Sequence, residues 1–233
     1  MQNENVSVII PVLNEEKYLP ALISFLQKSI RTSDEIIIVD GGSTDRTKEI
    51  CQSFGIQMIE SNVCSRAKQM NTGAHQAKGD ILYFLHADAL PPKNFIDDIT
   101  QAIESGFHIG GYPLQIGTRK SSLKSINSLM TRFNLLIFQG GGDQSMFIKK
   151  SIFHQLHGFD ESFVIMEDFD FIRRCRKKKL KRAIMEQHIQ VSDRKYQRNS
   201  YLKVQIANLL AYSAFSFGVS PVRIRSMYGS ILK

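Results

Sequence analysis

The chain has 233 residues, 42% of them hydrophobic and 22% charged, with a formal net charge of +8. That balance excludes global disorder, and the length suits one large α/β domain or two small ones. Cys51, Cys64 and Cys175 show no CxxC and no zinc-like spacing, which argues against a disulfide scaffold and for a reducing, cytoplasmic setting.

The N-terminus, MQNENVSVII, has no basic segment before a long apolar stretch, so an ordinary secretory signal is not expected. Val6–Pro11 is a short apolar run that reads as a buried strand. Asn14 offers an N-cap to an amphipathic helix marked by Leu19, Leu22, Ile23 and Leu26. Glu35–Asp40 is a second buried strand, and Ser43 or Thr44 is set to cap the helix that follows, through Ile50 to Phe54. Ile56–Ile59 reads as a third strand, Ser65–Ala77 as a helix and Asp80–Leu85 as a fourth strand, ending in His86-Ala87-Asp88. Strands alternating with helices predict a parallel sheet with right-handed crossovers, whose binding crevice lies beyond the carboxyl ends of the strands. The polar punctuation falls there: Asn14-Glu15, Asp40–Asp45 and His86–Asp88.

The second half is less regular. His108–Gly117 reads as a strand, Ser121–Phe138 as a helix, Gln144–Ile148 as a strand, Phe169–Lys178 as a basic helix, Arg182–Ile189 as strand-like and 199–218 as a long helix. Residues 173–203 hold twelve Lys/Arg against Glu186 and Asp193, while the rest of the chain sums to −2. Such a run is either a solvated face or an attraction to an anion such as a diphosphate or a phospholipid surface. It lacks the aromatic interleaving of a nucleic-acid module, so no nucleic-acid partner is expected. Leu202–Val219 is too polar for a membrane span. With its flanking basic residues it is compatible with a helix packed on the domain or with peripheral contact at the inner membrane face.

Five segments carry a resemblance: VSVIIPVLNEEKYL, EIIIVDGGSTDRT, the Gly79-Asp80 step into ILYFLHAD, GFDE at Gly158–Glu161, and MEDFDFIRR. Together, and in this order, they resemble the family 2 glycosyltransferases with a GT-A fold. SRAKQMNTGAHQAKGDILYFLHADALPP and GGGDQSMFIKK are closer to a subgroup described as arsenosugar-biosynthesis, or radical-SAM/selenodomain-associated, glycosyltransferases. The resemblance implies an α/β fold: a Rossmann-like, mostly parallel sheet flanked by helices, with a helical C-terminal extension. It further implies one domain over 1–233, with a nucleotide-binding half at about 6–118, an acceptor half at about 119–195 and C-terminal helices at about 196–233.

The activity so implied is inverting transfer of a sugar from a nucleotide-sugar donor, foremost a UDP- or GDP-sugar, to a small-molecule or lipid-linked acceptor. Pro11, Val12, Asn14, Glu15, Asp40, Arg66 and Asn71 match positions facing the nucleotide. Gly41 stands where the family often has a second Asp. Asp88, with His86 in place of the first acid of the family's Asp-x-Asp, matches the site of a divalent cation, Mn2+ or Mg2+, and a late His such as His188 is a further ligand candidate. Asp168 is the expected general base, with Glu167 second, at a helix start whose dipole keeps carboxylates ionised. Asp143 and Gln144 match the acceptor border, and Arg194 and Lys195 a lid over the diphosphate. Two other classes fit parts of the pattern: a catalytically idle nucleotide-binding partner subunit, and a nucleotidyltransferase, although no GxG-plus-Lys loop is evident near the N-terminus.

Overall fold

A computed structural model describes residues 4–61, 63–117 and 145–232. The elements in chain order are β1 (Val6–Val12), α1 (Leu19–Ser29), β2 (Glu35–Asp40), α2 (Thr47–Ser53), β3 (Met58–Glu60), α3 (Arg66–Gln76), β4 (Ile81–Phe84), β5 (Ala89–Leu90), α4 (Phe95–Glu104), β6 (Ile109–Gly111) and β7 (Leu114–Ile116). After the undescribed stretch come β8 (Met146–Lys149), α5 (Lys150–Gln155), α6 (Glu167–Lys177), β9 (Arg182–Ile184), β10 (Ile189–Val191), α7 (Arg194–Arg198), α8 (Tyr201–Ser216) and α9 (Pro221–Ile231). The helix expected over 121–138 falls outside the described residues.

Among the described residues the main sheet has the order β3-β2-β1-β4-β8-β6-β9. The first four strands are mutually parallel. β8 then runs antiparallel to both β4 and β6, and β9 parallel to β6. A second sheet, β5-β10-β7, is built from segments that leave the main one.

Period-two alternation decides what each face of the sheet packs against. Val6, Val8, Ile10 and Val12 of β1 and Ile81 and Tyr83 of β4 join one cluster with α1 and α4. Ile9, Leu82 and Phe84 face the other way, onto α3, α5 and α6. A Cβ on Gly73 of α3 would lie 2.5 Å from Ile9 Cγ2, so only glycine lets α3 approach β1 this closely. A third, smaller cluster ties Met166, Phe163 and Phe169 to Phe215 of α8 and Ile224 of α9.

Several expectations are corrected. Asn14 does not cap α1, whose N-cap is Tyr18 without a side-chain bond; Asn14 sits at φ 55 and accepts from Thr44 N at 2.8 Å. Neither Ser43 nor Thr44 caps α2, whose N-cap is Arg46 without a side-chain bond; Asp45, one residue earlier, accepts from Thr47 N at 3.0 Å. The third strand starts two residues later than expected, because Ile56 N donates to Cys51 O and belongs to the exit of α2. The stretch from His108 to Gly117 forms two strands in different sheets, separated by Tyr112-Pro113, and Arg182–Ile189 likewise splits between β9 and β10. Helix α4 was not foreseen, although Phe95, Ile96, Ile99, Ala102 and Ile103 make a plain apolar stripe.

Candidate active site

The parallel strands deliver three polar loops to one end of the sheet, and each is tied down by its own side chains. Asp40 is buried at the end of β2, and its carboxylate accepts from Gly42 N at 3.0 Å, Ser43 N at 2.9 Å and the Ser43 hydroxyl. Ser43 Oγ receives Asn14 N at 2.9 Å, and Thr47 Oγ1 receives Glu15 N at 2.9 Å, so the loops after β1 and β2 form one unit. Gln69 of α3 pins the two strand ends from behind, donating to Val12 O at 2.9 Å and Val39 O at 2.8 Å. Pro11 pairs in register with Val39, and Val12 with Asp40. These residues build the floor of the loops, while Asn14 and Glu15 reach the open side.

That open side is a cavity of about 750 Å3, within the range of roughly 300–1,000 Å3 usual for small-molecule sites. Asn14, Glu15, Asp88, Arg194, Lys195 and Tyr228 are among its lining residues. Arg194 is the hub. Its Nη1 donates to Glu15 Oε1 at 2.9 Å and Oε2 at 3.1 Å, its Nε lies 3.0 Å from Asp88 Oδ2, and its guanidinium sits 5.7 Å from the Tyr18 ring centroid. Ser192 Oγ donates to the same Asp88 oxygen at 2.7 Å. Burial pushes the Glu15 carboxyl up, against the opposing pull of Arg194. Ser192 and Tyr18 were not singled out from the sequence; a lone serine and a lone tyrosine carry no signal there.

On the other side of the His86–Asp88 turn lies a narrower cleft. Arg66, His86, Glu167, Asp168 and Arg182 supply its ionisable lining, and Phe84, Met146 and Phe159 much of its apolar wall. Glu167 opens α6 and is nearly closed off, 3% exposed; its Oε1 lies 3.0 Å from Arg66 Nε. Asp168 keeps a narrow opening onto the cleft and accepts from Phe169 N at 2.8 Å. Burial, reinforced by the adjacent Glu167 charge and opposed by Arg66, holds the Asp168 carboxyl well above the ordinary carboxylate range. Arg182 carries no site signal in the sequence, where it falls in a basic run and opens a strand-like segment. Burial, with Arg176 nearby, lowers it to about 10, which leaves it charged at neutral pH.

The predicted residues thus separate into two pockets, the cleft lined by His86 and the larger cavity by Asp88. Arg66 belongs to the inner cleft, not to the nucleoside loops, because Glu167 holds it there. Asn71 is a correction too. Its Nδ2 donates to Phe159 O and its Oδ1 accepts from Phe159 N, both at 2.9 Å, and Nδ2 also reaches Glu161 Oε1 at 3.0 Å. It clamps the Gly158–Glu161 turn and lines neither pocket. His188, just before β10, lines neither as well, and among the described residues no three His, Cys, Asp or Glu gather as a metal shell. Asp143 and Gln144 lie outside the described residues. The three cysteines are free, Cys51 and Cys175 buried and Cys64 exposed.

A family model described as glycosyl transferase family 2 matches residues 7–158. The chain is 32% identical over 108 residues to the glycosyltransferase GlyG of Streptococcus pneumoniae, covering 44% of this chain and 36% of that protein. It is 26% identical over 242 residues to the undecaprenyl-phosphate 4-deoxy-4-formamido-L-arabinose transferase of Proteus mirabilis, covering 97% of this chain and 72% of that one. Among solved structures it superimposes on the mannosyltransferase PcManGT of Pyrobaculum calidifontis, in complex with GDP-Man and Mn2+, with TM-score 0.68. That match has 16% identity and covers 98% of this chain and 69% of the other.

Proposed function

The chain belongs to glycosyl transferase family 2, and on that premise we propose that it transfers a sugar, with inversion, from a nucleotide-sugar donor to an acceptor hydroxyl. The observation that carries this reading is the His86–Asp88 turn, whose His86 lines the Asp168 cleft and whose Asp88, two residues on, lines the Arg194 cavity. A donor whose diphosphate lies by Arg194 and Asp88 would extend its sugar past this turn towards Asp168.

In this scheme Glu15 and Asn14 meet the nucleoside side and Asp40 shapes their loop. Arg194 exchanges its carboxylate partners for the diphosphate, with Lys195 beside it. An acceptor hydroxyl attacks the anomeric carbon, the new C–O bond forms as the bond to the phosphate oxygen breaks, and the nucleoside diphosphate departs. Asp168 takes the hydroxyl proton; its raised affinity for protons makes it a stronger base than an exposed carboxylate. Glu167 keeps Arg66 in the cleft. The residues about 6–118, joined by Arg194 and Lys195, serve the donor, and the rest of about 119–195 the acceptor.

A divalent cation, Mn2+ or Mg2+, belongs to the reading. Both recorded partners of Asp88 lie on Oδ2, so Oδ1 is a hard oxygen donor to a cation whose other ligands would be diphosphate and water. When bound, such an ion stabilises the charge that grows on the leaving diphosphate. His86 flanks that position from the cleft side. The Pyrobaculum calidifontis mannosyltransferase, of the same fold, was solved with GDP-Man and Mn2+, which supports a nucleotide-sugar donor and a metal. The Proteus mirabilis relative, named for undecaprenyl phosphate, supports a lipid-linked acceptor alongside a small-molecule one.

Asp168→Asn tests the proposal. Turnover, measured as nucleotide release across UDP- and GDP-sugars with an acceptor panel, should fall roughly 10²–10⁴-fold, while donor affinity by calorimetry stays within about twofold. Because the Asp168 carboxyl is raised in the fold, wild-type kcat should lose activity on the acid side at a pH above the ordinary carboxylate value of 3.8. The raised value also means that the charged form destabilises the fold above its folded pKa. Asp168→Asn should therefore stabilise the protein at neutral pH, the gain vanishing as pH falls below 3.8. Unchanged turnover in the variant would refute the base assignment. Tight nucleotide binding without release by the wild type over the whole panel would favour an idle binding subunit.

A further inference from the structure

Helix α8 is apolar on two opposite faces, and the described residues bury one of them. Val204, Ala207, Ala211 and Phe215 are buried, Phe215 and Ala211 against Met166 and Ile224. On the other side Leu202, Ile206, Leu209 and Leu210 stand open, Leu202 at 69% exposure. The helix carries one charge, Lys203, in its sixteen residues. A helix that is apolar all round is one that is buried all round, and the open stripe has no cover among the described residues. The stripe runs on into the tip between α8 and α9. Phe217 is 88% exposed, Gly218 turns the chain at φ 74, and Val222 in the first turn of α9 is 66% exposed. The two helices form one unit, joined by Ile224 and by Tyr228 Oη donating to Asn208 Oδ1 at 2.9 Å.

The side-chain charge carried by these two helices has a single sign. After Asp193 the chain contains no acidic residue and seven Lys/Arg, among them Lys203, Arg223 and Arg225 on α8 and α9. We propose that the α8–α9 hairpin is a docking surface for an anionic lipid bilayer, with the leucine stripe and Phe217 in the acyl boundary and the flanking cations against the headgroups. The charge pattern decides the occupant: a second copy would set cations against cations with no acid among these residues to pair them. Among the described residues no helix is long and apolar enough to cross a membrane. At 1.5 Å per residue α8 spans roughly 24 Å, short of a hydrocarbon core of about 30 Å, so it lies on the surface. The same hairpin reaches the large cavity through Tyr228 and Leu232 and packs on Phe163 and Phe169, which flank the Glu167-Asp168 start of α6. Docking would therefore hold that site at the headgroup level. The surface is read from α8 and α9 alone and stands whether or not the proposed reaction does.

The test is flotation of the full chain with phosphatidylglycerol/phosphatidylcholine vesicles at low salt. Wild type should float with the anionic vesicles and be released as salt is raised, since the cationic part of the contact is screened. Ile206→Ser/Leu209→Ser and Phe217→Ser should each lower partitioning at least about tenfold. Arg223→Gln and Arg225→Gln should each lower it about fivefold on anionic vesicles. Thermal melts at or above the wild-type value establish that the variants are folded. No co-flotation of wild type with anionic vesicles at low salt overturns the proposal. So does a wild-type dimer in sedimentation that the serine variants dissociate without any lipid binding. Nucleotide-binding and turnover assays in detergent-free buffer report on the reaction separately.

Discussion

Replacing Asn71 by alanine removes two hydrogen bonds that the Phe159 backbone makes to one side-chain amide, both 2.9 Å long and both buried. At about 0.5–1.5 kcal/mol each, their loss costs about 1–3 kcal/mol; leaving the Phe159 N–H without a partner raises the total to about 2–4 kcal/mol. Gly158 is packed so close to this clamp that a Cβ on it would lie 2.6 Å from Asn71 Oδ1. Phe159 itself is 3% exposed and packs against Phe84, Phe153 and Phe171. Slackening its backbone loosens the apolar wall of the Asp168 cleft. Urea unfolding should show the full loss, and thermal melting should fall by roughly 4–16 °C for a chain of this size. Donor affinity, read by calorimetry well below the melt, should hold, because Asn71 lines neither pocket. A variant with stability within about 0.5 kcal/mol of wild type but donor affinity at least tenfold weaker would refute this reasoning and return Asn71 to the nucleotide.

Two further outcomes follow from the geometry. Asp88→Ala frees Arg194 from one carboxylate in a half-open pair, so stability should change by less than about 1 kcal/mol; Mn2+-enhanced nucleotide affinity, by calorimetry with and without the ion, should fall at least about tenfold. Burial pushes the Cys51 thiol up to about 11 and the Cys175 thiol to about 12; maleimide at pH 7 should label exposed Cys64 alone in the native protein and all three in urea, as peptide mass spectrometry will show.

The parallel half of the fold was legible because each element carries its own local signal. VSVIIP and EIIIVD are short, mainly apolar runs, and Ser65, where the expected 65–77 helix begins, caps α3 by accepting from Lys68 N. What escaped is what depends on distant partners. The strand at Met58–Glu60 is set by register with Ile38–Asp40, which overrides the apolar start at Ile56. Strands β6 and β7 read as one run until the two sheets claim them separately. The site shows the same division. Asn14, Glu15, Asp88 and Asp168 stand beside strand or helix ends, which the sequence marks, and each lines one of the two pockets. Arg66 with Glu167, Arg194 with Glu15 and Asn71 with Phe159 are pairs joined only by the fold, so each second partner, and with it each first residue's task, was out of reach.

The strand order also dictates when the fold can form. The four parallel strands lie within residues 6–84, so half of the main sheet can assemble around β1 before β8 has left the ribosome. The remaining half has no such head start. β6 must wait for β8 to reach β4, and Ile109 must wait for Arg182 before the outer edge closes. Loop-closure cost makes those late pairings the slow ones. Tyr83 and Phe84 of β4, which pair with Phe147 and Met146 in the finished protein, thus form an open apolar border during synthesis, and that border is where a chaperone would find the nascent chain.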